Sequence, residues 1–175
     1  MTVAVRRLEA ADDRTKFQSG NIDLDRFFHR YAGQNQFRHH IGTTYVAVAD
    51  DREIVGFATV AASELTTARL SEAKRKRLPA YPIPVLRLAR LAVDNRKQGQ
   101  GIALVLMRAV FTLARKMAGD LGCCGVVVDA KPEAVGFYEK FGFIPLEAAS
   151  GQLGDRPEPL PMFLELGAIP KPDVD

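Results

Sequence analysis

The sequence predicts an α/β (α+β) fold, one sheet of mixed strand direction with helices on both faces. Three observations point there. Two β-rich runs, 43–49 and 54–61, flank the turn Asp50-Asp51-Arg52, a hairpin signal. An apolar run ending at Val93 passes through a glycine-containing loop into a long amphipathic segment. A buried strand, a short helix and two more strands follow. With 175 residues the chain can bury a core without staples, and it reads as a single domain over 1–169 with a flexible tail at 170–175.

Taken in order, residues 3–8 form the first strand. Ser19-Gly20-Asn21 then offers caps for a helix whose apolar positions Leu24, Phe27, Phe28 and Tyr31 follow i, i+3, i+4, i+7. Beyond the hairpin, Ser71 caps a short basic helix through Leu78, which Tyr81-Pro82-Ile83-Pro84 stops. Residues 85–93 make the next strand. The strongest helix runs from 102 to about 117 with Leu104, Val105, Ala109 and Leu113 among its apolar residues, Met107 off the main stripe, and Gly119 ending it. Residues 125–129 (GVVVD) read as a buried strand. Pro132 suits the first turn of a helix that runs to Phe141 and is closed by Gly142. Strands at 143–146 and 162–166 end the pattern, separated by the turn-rich 150–159.

Hydrophobic residues make up 47% and charged residues 26%, a globular composition rather than a disordered one. No apolar run approaches the roughly 18 residues of a membrane span, and the N-terminus lacks a signal-peptide core, so the expected address is the cytoplasm. Cys123 and Cys124 are adjacent, a pair that rarely bridges, and read as core thiols near a strand start. His29, His39 and His40 lack carboxylate or cysteine partners at ligand spacing, and no metal is expected.

The chemistry concentrates in LARLAVDNRKQGQGIA, residues 88–103. Strand, glycine loop, helix: that order aims free backbone N–H groups and a positive helix end at one point, which suits phosphate. A triphosphate-binding loop needs Gly-Lys followed by Ser or Thr, which Gln100-Gly101-Ile102 lacks. A dinucleotide fingerprint needs a small residue at Leu104 and an acidic strand end closer than Asp129. A third pattern is filled: Arg96, two residues, Gly99, one residue, Gly101.

There the chain resembles the GNAT acetyltransferases, and FYEKFGF (137–143) resembles their second signature. A narrower resemblance, to the GNAT toxins of bacterial toxin–antitoxin pairs, covers nearly the whole chain. Phe17-Gln18-Ser19-Gly20, Leu24-Asp25-Arg26-Phe27, the run 42–48, Pro84-Val85, the run 90–94 and Val128-Asp129-Ala130 carry it. Two positions depart from the family pattern: Ser19 stands where many relatives have cysteine, and Ile102-Ala103 replaces Leu-Gly. The resemblance implies a mostly antiparallel sheet with a V-shaped splay for acyl-CoA, and acetyl-CoA as the acyl donor.

It also implies roles. The N–H groups of Gln98, Gly99, Gln100, Gly101, Ile102 and Ala103 hold the pyrophosphate, with charge from Arg96 and Lys97. Leu91, Ala92 and Val93 line the pantetheine arm, and the Val93 N–H is the oxyanion donor. Tyr138 is the general acid in a direct transfer. A phenol near pKa 10 is still protonated when a thiolate near 8.5 departs, so the assignment is chemically sound. No convincing general base is present; Glu64 and Glu133 read as solvated charges. An α-amine of about pKa 8, lowered further by an adjacent ester, needs none.

Members of the toxin group acetylate aminoacyl-tRNA and stop translation, usually restrained by a ribbon-helix-helix antitoxin. Basic clusters fit an RNA substrate: Lys74, Arg75, Lys76 and Arg77, then Arg87 and Arg90, and a second group around Arg30, Arg38, His39 and His40. The same surfaces fit an acidic antitoxin segment or plain solvation. The resemblance further implies a homodimer, with DNA reached only through the antitoxin and no membrane contact. Two alternatives stay open, a GNAT enzyme acting on a small-molecule amine and a non-catalytic acyl-CoA-binding regulator.

Overall fold

The structure, a computed structural model, describes residues 2–146 and 159–171. All but the last residue of the expected turn at 150–159, and positions 172–175 of the expected tail, lie outside the described residues. Among the described residues, seven strands run in the order β1-β2-β3-β4-β5-β7-β6. They are β1 (Ala4–Arg7), β2 (Thr43–Val48), β3 (Ile54–Leu65), β4 (Ile83–Val93), β5 (Gly125–Ala130), β6 (Ile144–Pro145) and β7 (Leu160–Glu165). The pairings β1–β2, β2–β3, β5–β7 and β6–β7 are antiparallel. The α/β class and the mostly antiparallel sheet are as the sequence predicts. The hairpin is as well: Arg52 turns through φ +65° and the Ala49 N–H donates to the Glu53 carbonyl. The strand after it, β3, runs four residues further than expected, to Leu65.

By internal contacts the chain forms two compact units. The first is Met1–Ala61 with Leu88–Val110, and the second is Ala62–Arg87 with Phe111–Asp175. In the first, neighbouring residues of β3 meet helices on opposite sides. A Cβ on Gly56 would lie 2.9 Å from Ile102 Cγ2 and 3.0 Å from Leu106 Cδ1, both in α3 (Ile102–Asp120), so only glycine admits that helix so closely. Phe57, pointing the other way, stacks on Phe28 at 4.4 Å, and Phe17 meets both rings edge-on. The predicted placement of helices on both faces holds in this unit. Burying Phe17, Phe28 and Phe57 contributes on the order of 2–3 kcal/mol each.

The helix before β2 departs from expectation in one respect. Asn21 caps α1 (Ile22–Arg26), its side chain accepting from the Leu24 N–H at 3.0 Å. The helix then widens into two π-type stretches, Phe27–Tyr31 and Gln34–Arg38, where the Ala32 N–H reaches back five residues to Phe27. One extra residue per turn shifts the apolar face. Ala32 is therefore buried in place of Tyr31, which is exposed.

α3 shows a second shift. Ile102, Leu106, Met107, Val110, Phe111 and Ala114 are buried, so Met107 lies in the core stripe, while Leu104 is exposed. Its end also lies beyond Gly119. Gly122, at φ +115°, donates its N–H to the Met117 carbonyl as a left-handed C-terminal cap, and Gly119 sits inside the last turn.

The second unit buries Leu65, Leu70, Ile83, Val85, Val127, Leu146 and Phe163 together. Ser71 caps α2 (Glu72–Arg75) as predicted, but the helix stops at Arg75 rather than near Leu78. A 3₁₀ turn, Pro132–Ala134, leads into α4 (Val135–Glu139), which is shorter than the helix expected. Cys123 is buried and Cys124 half-buried, both free thiols. At the C-terminal end Arg115 donates to the carbonyls of Ile169 and Pro170, so the chain is still held at the first residue of the expected tail. Among the described residues no helix is long and apolar enough to cross a membrane.

Candidate functional site

β4 is an interior strand, yet one of its faces is open. Ala89 is exposed and Leu91 and Val93 are half-buried, while Ala92, on the opposite face, is buried against the aromatic cluster. The Asp94 N–H donates to the Val55 carbonyl of β3 at 2.9 Å. N–H groups alternate along a strand, so the Val93 N–H points away from β3.

Asp94 anchors the loop that follows. Its side chain is 1% exposed and accepts from the Arg96 backbone N–H (3.0 Å), Arg96 Nε (3.0 Å), Arg96 Nη2 (3.2 Å) and the Gln18 N–H (3.3 Å). Burial pushes the Asp94 carboxyl up, but these bonds outweigh it and hold the group below the usual carboxylate range. The Arg96 guanidinium is also ion-paired with Glu53, and both carboxylates favour its charged form. The charge that Arg96 was expected to lend to phosphate is therefore engaged by two carboxylates. Gln98 extends its amide to the carbonyls of Ser19 (3.2 Å) and Val93 (3.5 Å), and the Asn95 N–H donates to the Gln18 carbonyl at 2.8 Å.

Beyond these anchors the backbone turns twice through the left-handed region, at Gly99 (φ +79°) and Gly101 (φ +80°). Nothing lies within 4 Å of a Cβ built on either, so backbone conformation rather than crowding calls for glycine. The first bond of α3 runs from the Val105 N–H to the Gly101 carbonyl. Among the described residues no acceptor meets the N–H groups from Gly99 to Leu104. A row of unpaired N–H groups at the positive end of a 19-residue helix is a site built for an anion. Of the other expected cradle residues, Ile102 is buried under Gly56, Ala103 lies half-buried in the first turn, and Lys97 has no acidic partner among the described residues.

In the second unit Tyr138 lies on α4 with its ring packed edge-on to Phe137 (5.2 Å) and Phe143 (5.5 Å). It is 6% exposed, and burial pushes its phenol up to about 12. The group is held protonated throughout the neutral range.

The basic residues predicted as RNA contacts divide. Lys74 (3.0 Å) and Arg77 (3.8 Å) share Glu165, Lys76 meets Glu72 at 3.7 Å, and Arg87 is paired with Asp129. Arg38 and Arg75 are exposed and have no carboxylate among the described residues. Arg90 is half-buried with its guanidinium 3.8 Å over the Phe27 ring. Sequence reasoning missed Asp94, Glu53 and Gln98 as the groups that shape the loop. Asp94 carried a signal, as a polar residue ending an apolar strand two positions before an arginine; Glu53, brought in by the hairpin, carried none.

The family described as acetyltransferase (GNAT) domain matches residues 11–154. A tRNA-acetylating toxin of Mycobacterium tuberculosis (strain ATCC 25618 / H37Rv) is 33% identical over 141 residues, 80% of this chain and 83% of that protein. A solved structure of AtaT complexed with acetyl-methionyl-tRNAfMet is 26% identical with a TM-score of 0.81, covering 95% of this chain and 96% of its own. AtaTR bound with AcCoA is likewise 26% identical, at a TM-score of 0.75 and 95% of each chain.

Proposed function

The chain belongs to the GNAT acetyltransferase family, and from that premise we propose that it acetylates the α-amino group of aminoacyl-tRNA and so stops translation as a toxin. One observation carries the reading: the row of unpaired N–H groups from Gly99 to Leu104 stands ready for a pyrophosphate in a chain 33% identical to a tRNA-acetylating toxin.

Bound acetyl-CoA would supply an activated acetyl group, with coenzyme A leaving as the thiolate when the thioester C–S bond breaks. Gln98, Gly99, Gln100, Gly101, Ile102 and Ala103 hold its pyrophosphate through backbone N–H groups, while the Arg96 side chain holds the loop in shape. Leu91, Ala92 and Val93 offer main-chain groups to the pantetheine arm, and the Val93 N–H meets the negative charge that develops on the acyl oxygen. Tyr138 gives its proton to the sulfur, and the proton that the amine sheds as the amide forms passes through solvent to restore the phenol. The incoming amine needs no strong base, because an α-amine beside an ester is largely neutral at pH 7. Arg38, Lys74, Arg75, Lys76, Arg77, Arg87 and Arg90 are the RNA-facing cations of this reading.

We read residues 1–169 as one acetyltransferase domain. The family match spans both compact units, and β3, β4 and α3 each run from one into the other. A ribbon-helix-helix antitoxin, DNA contact through that antitoxin alone, a homodimer and a cytoplasmic location belong to the same reading.

Purified protein added to a translating cell extract tests it. The expected outcome is an acetyl-CoA-dependent loss of synthesis together with acetylated charged tRNA. Unaffected synthesis with unacetylated tRNA overturns the reading, and turnover confined to small amines replaces it with a metabolite acetyltransferase.

A further inference from the structure

Among the described residues, Arg90 is placed unlike the ion-paired cations Lys74, Lys76, Arg77 and Arg87. It lies on the interior strand β4, half-buried, three residues before Val93. Its guanidinium carbon sits 3.8 Å from the centroid of Phe27, a ring that is itself 5% exposed. The ring therefore shields one face of the guanidinium from water and fixes its height above the aromatic cluster. It takes none of the N–H donors, which radiate in the guanidinium plane. Among the described residues no carboxylate approaches Arg90, whereas Lys74, Lys76, Arg77 and Arg87 are each paired. Burial alone lowers its pKa, and the group stays charged. A partly desolvated fork of donors with no carboxylate partner among the described residues suits a phosphate, which matches it with two parallel bonds. Three residues of extended strand separate it from Val93 by about 10 Å, the scale of one nucleoside.

We propose that Arg90 binds the phosphate of the very nucleotide that carries the aminoacyl group, and so selects an RNA-borne amine over a free one. The proposal rests on the reading of the chain as an acetyltransferase of charged tRNA. Phe27 fixes the guanidinium height, and the exposed basic residues contribute sequence-independent attraction around it.

The experiment compares wild type with Arg90→Met, which keeps a long apolar stem on Phe27, and with Arg90→Lys, which keeps charge without the fork. Each enzyme is assayed on charged tRNA and on an aminoacyl-adenosine, which presents the same amine without a phosphate, at several salt concentrations. In both variants the loss in kcat/KM on charged tRNA is expected to exceed the loss on the aminoacyl-adenosine by about tenfold, the size of one charge-assisted hydrogen bond. The salt dependence of tRNA binding becomes shallower by about one unit in Arg90→Met only. Equal losses on both substrates overturn the proposal, as does a Met variant with wild-type selectivity and salt slope. A wild-type protein that leaves charged tRNA untouched overturns the functional reading itself, whatever the variants do.

Discussion

Glu53, just before β3, is ion-paired with Arg96, 43 positions further along the chain. With Asp94 on its other side, the guanidinium ties the β2–β3 hairpin to the loop that carries the unpaired N–H groups. The pair is exposed, so its contribution to global stability is small; its effect is on where the loop rests. Glu53→Gln is expected to raise KM for acetyl-CoA by about threefold and to leave kcat within about twofold, since the hairpin holds the cradle and not the reacting atoms. Steady-state kinetics at fixed acceptor decide it. An unchanged or lowered KM shows that the hairpin does not set the loop.

On the proposed reading, Tyr138 links catalysis to alkaline stability. Tyr138→Phe keeps the edge-on packing against Phe137 and Phe143 while removing the proton, and kcat is expected to fall by about 10²–10³ with an intact fold. Because burial pushes the folded-state phenol up to about 12, against about 10 when unfolded, the native state holds this proton more tightly. The associated stability is fully present below pH 10 and is lost as pH rises toward 12, to a maximum of about 3 kcal/mol. Urea midpoints at pH 8 and pH 11 should fall more steeply for wild type than for Tyr138→Phe. Parallel midpoints mean that the phenol is not desolvated.

Gly119 lies inside the last turn of α3 with open space around its Cα, while the left-handed cap is Gly122. Gly119→Ala is therefore expected to stabilise the protein by about 1 kcal/mol through helix propensity, a rise in Tm of about 2–4 °C. Gly122→Ala is expected to act in the opposite direction, because its φ of +115° suits glycine. Thermal unfolding of the two variants side by side separates cap from passenger; a lower Tm for Gly119→Ala places the strain at the wrong glycine.

That contrast shows which features a chain of letters carries. The succession of strands and helices along the chain, the hairpin and the glycine loop were legible because each rests on local patterning or on a turn that few residue types can make. Tyr31 and Met107 were misplaced for a different reason. A π-type turn shifts the apolar phase by one residue without changing composition, and an α-helix pressed against Gly56 buries a wider stripe than alternation suggests. The loop amides follow from Gly99 and Gly101. The carboxylates that shape the loop do not, since Glu53 reaches it only once β2 and β3 have folded back. The partner of a charge run was hidden for the same reason: no acidic residue interrupts 74–77, and Glu165, which pairs with Lys74 and Arg77, is distant in sequence.

Glu165 accordingly controls how much of that face an RNA can use. Its carboxylate lies 3.0 Å from Lys74 Nζ and 3.8 Å from Arg77 Nη2, and it sits at the end of β7. Glu165→Gln keeps the side-chain volume and releases both cations. If the α2 region touches the tRNA backbone, the variant is expected to bind charged tRNA more tightly at low salt. Its log Kd is then expected to vary with log salt by about one to two units more steeply, one for each newly available cation. Filter binding across a salt series reads both quantities. A slope identical to wild type assigns Lys74 and Arg77 to a solvated surface and leaves RNA contact to cations such as Arg38 and Arg75, which meet no carboxylate among the described residues.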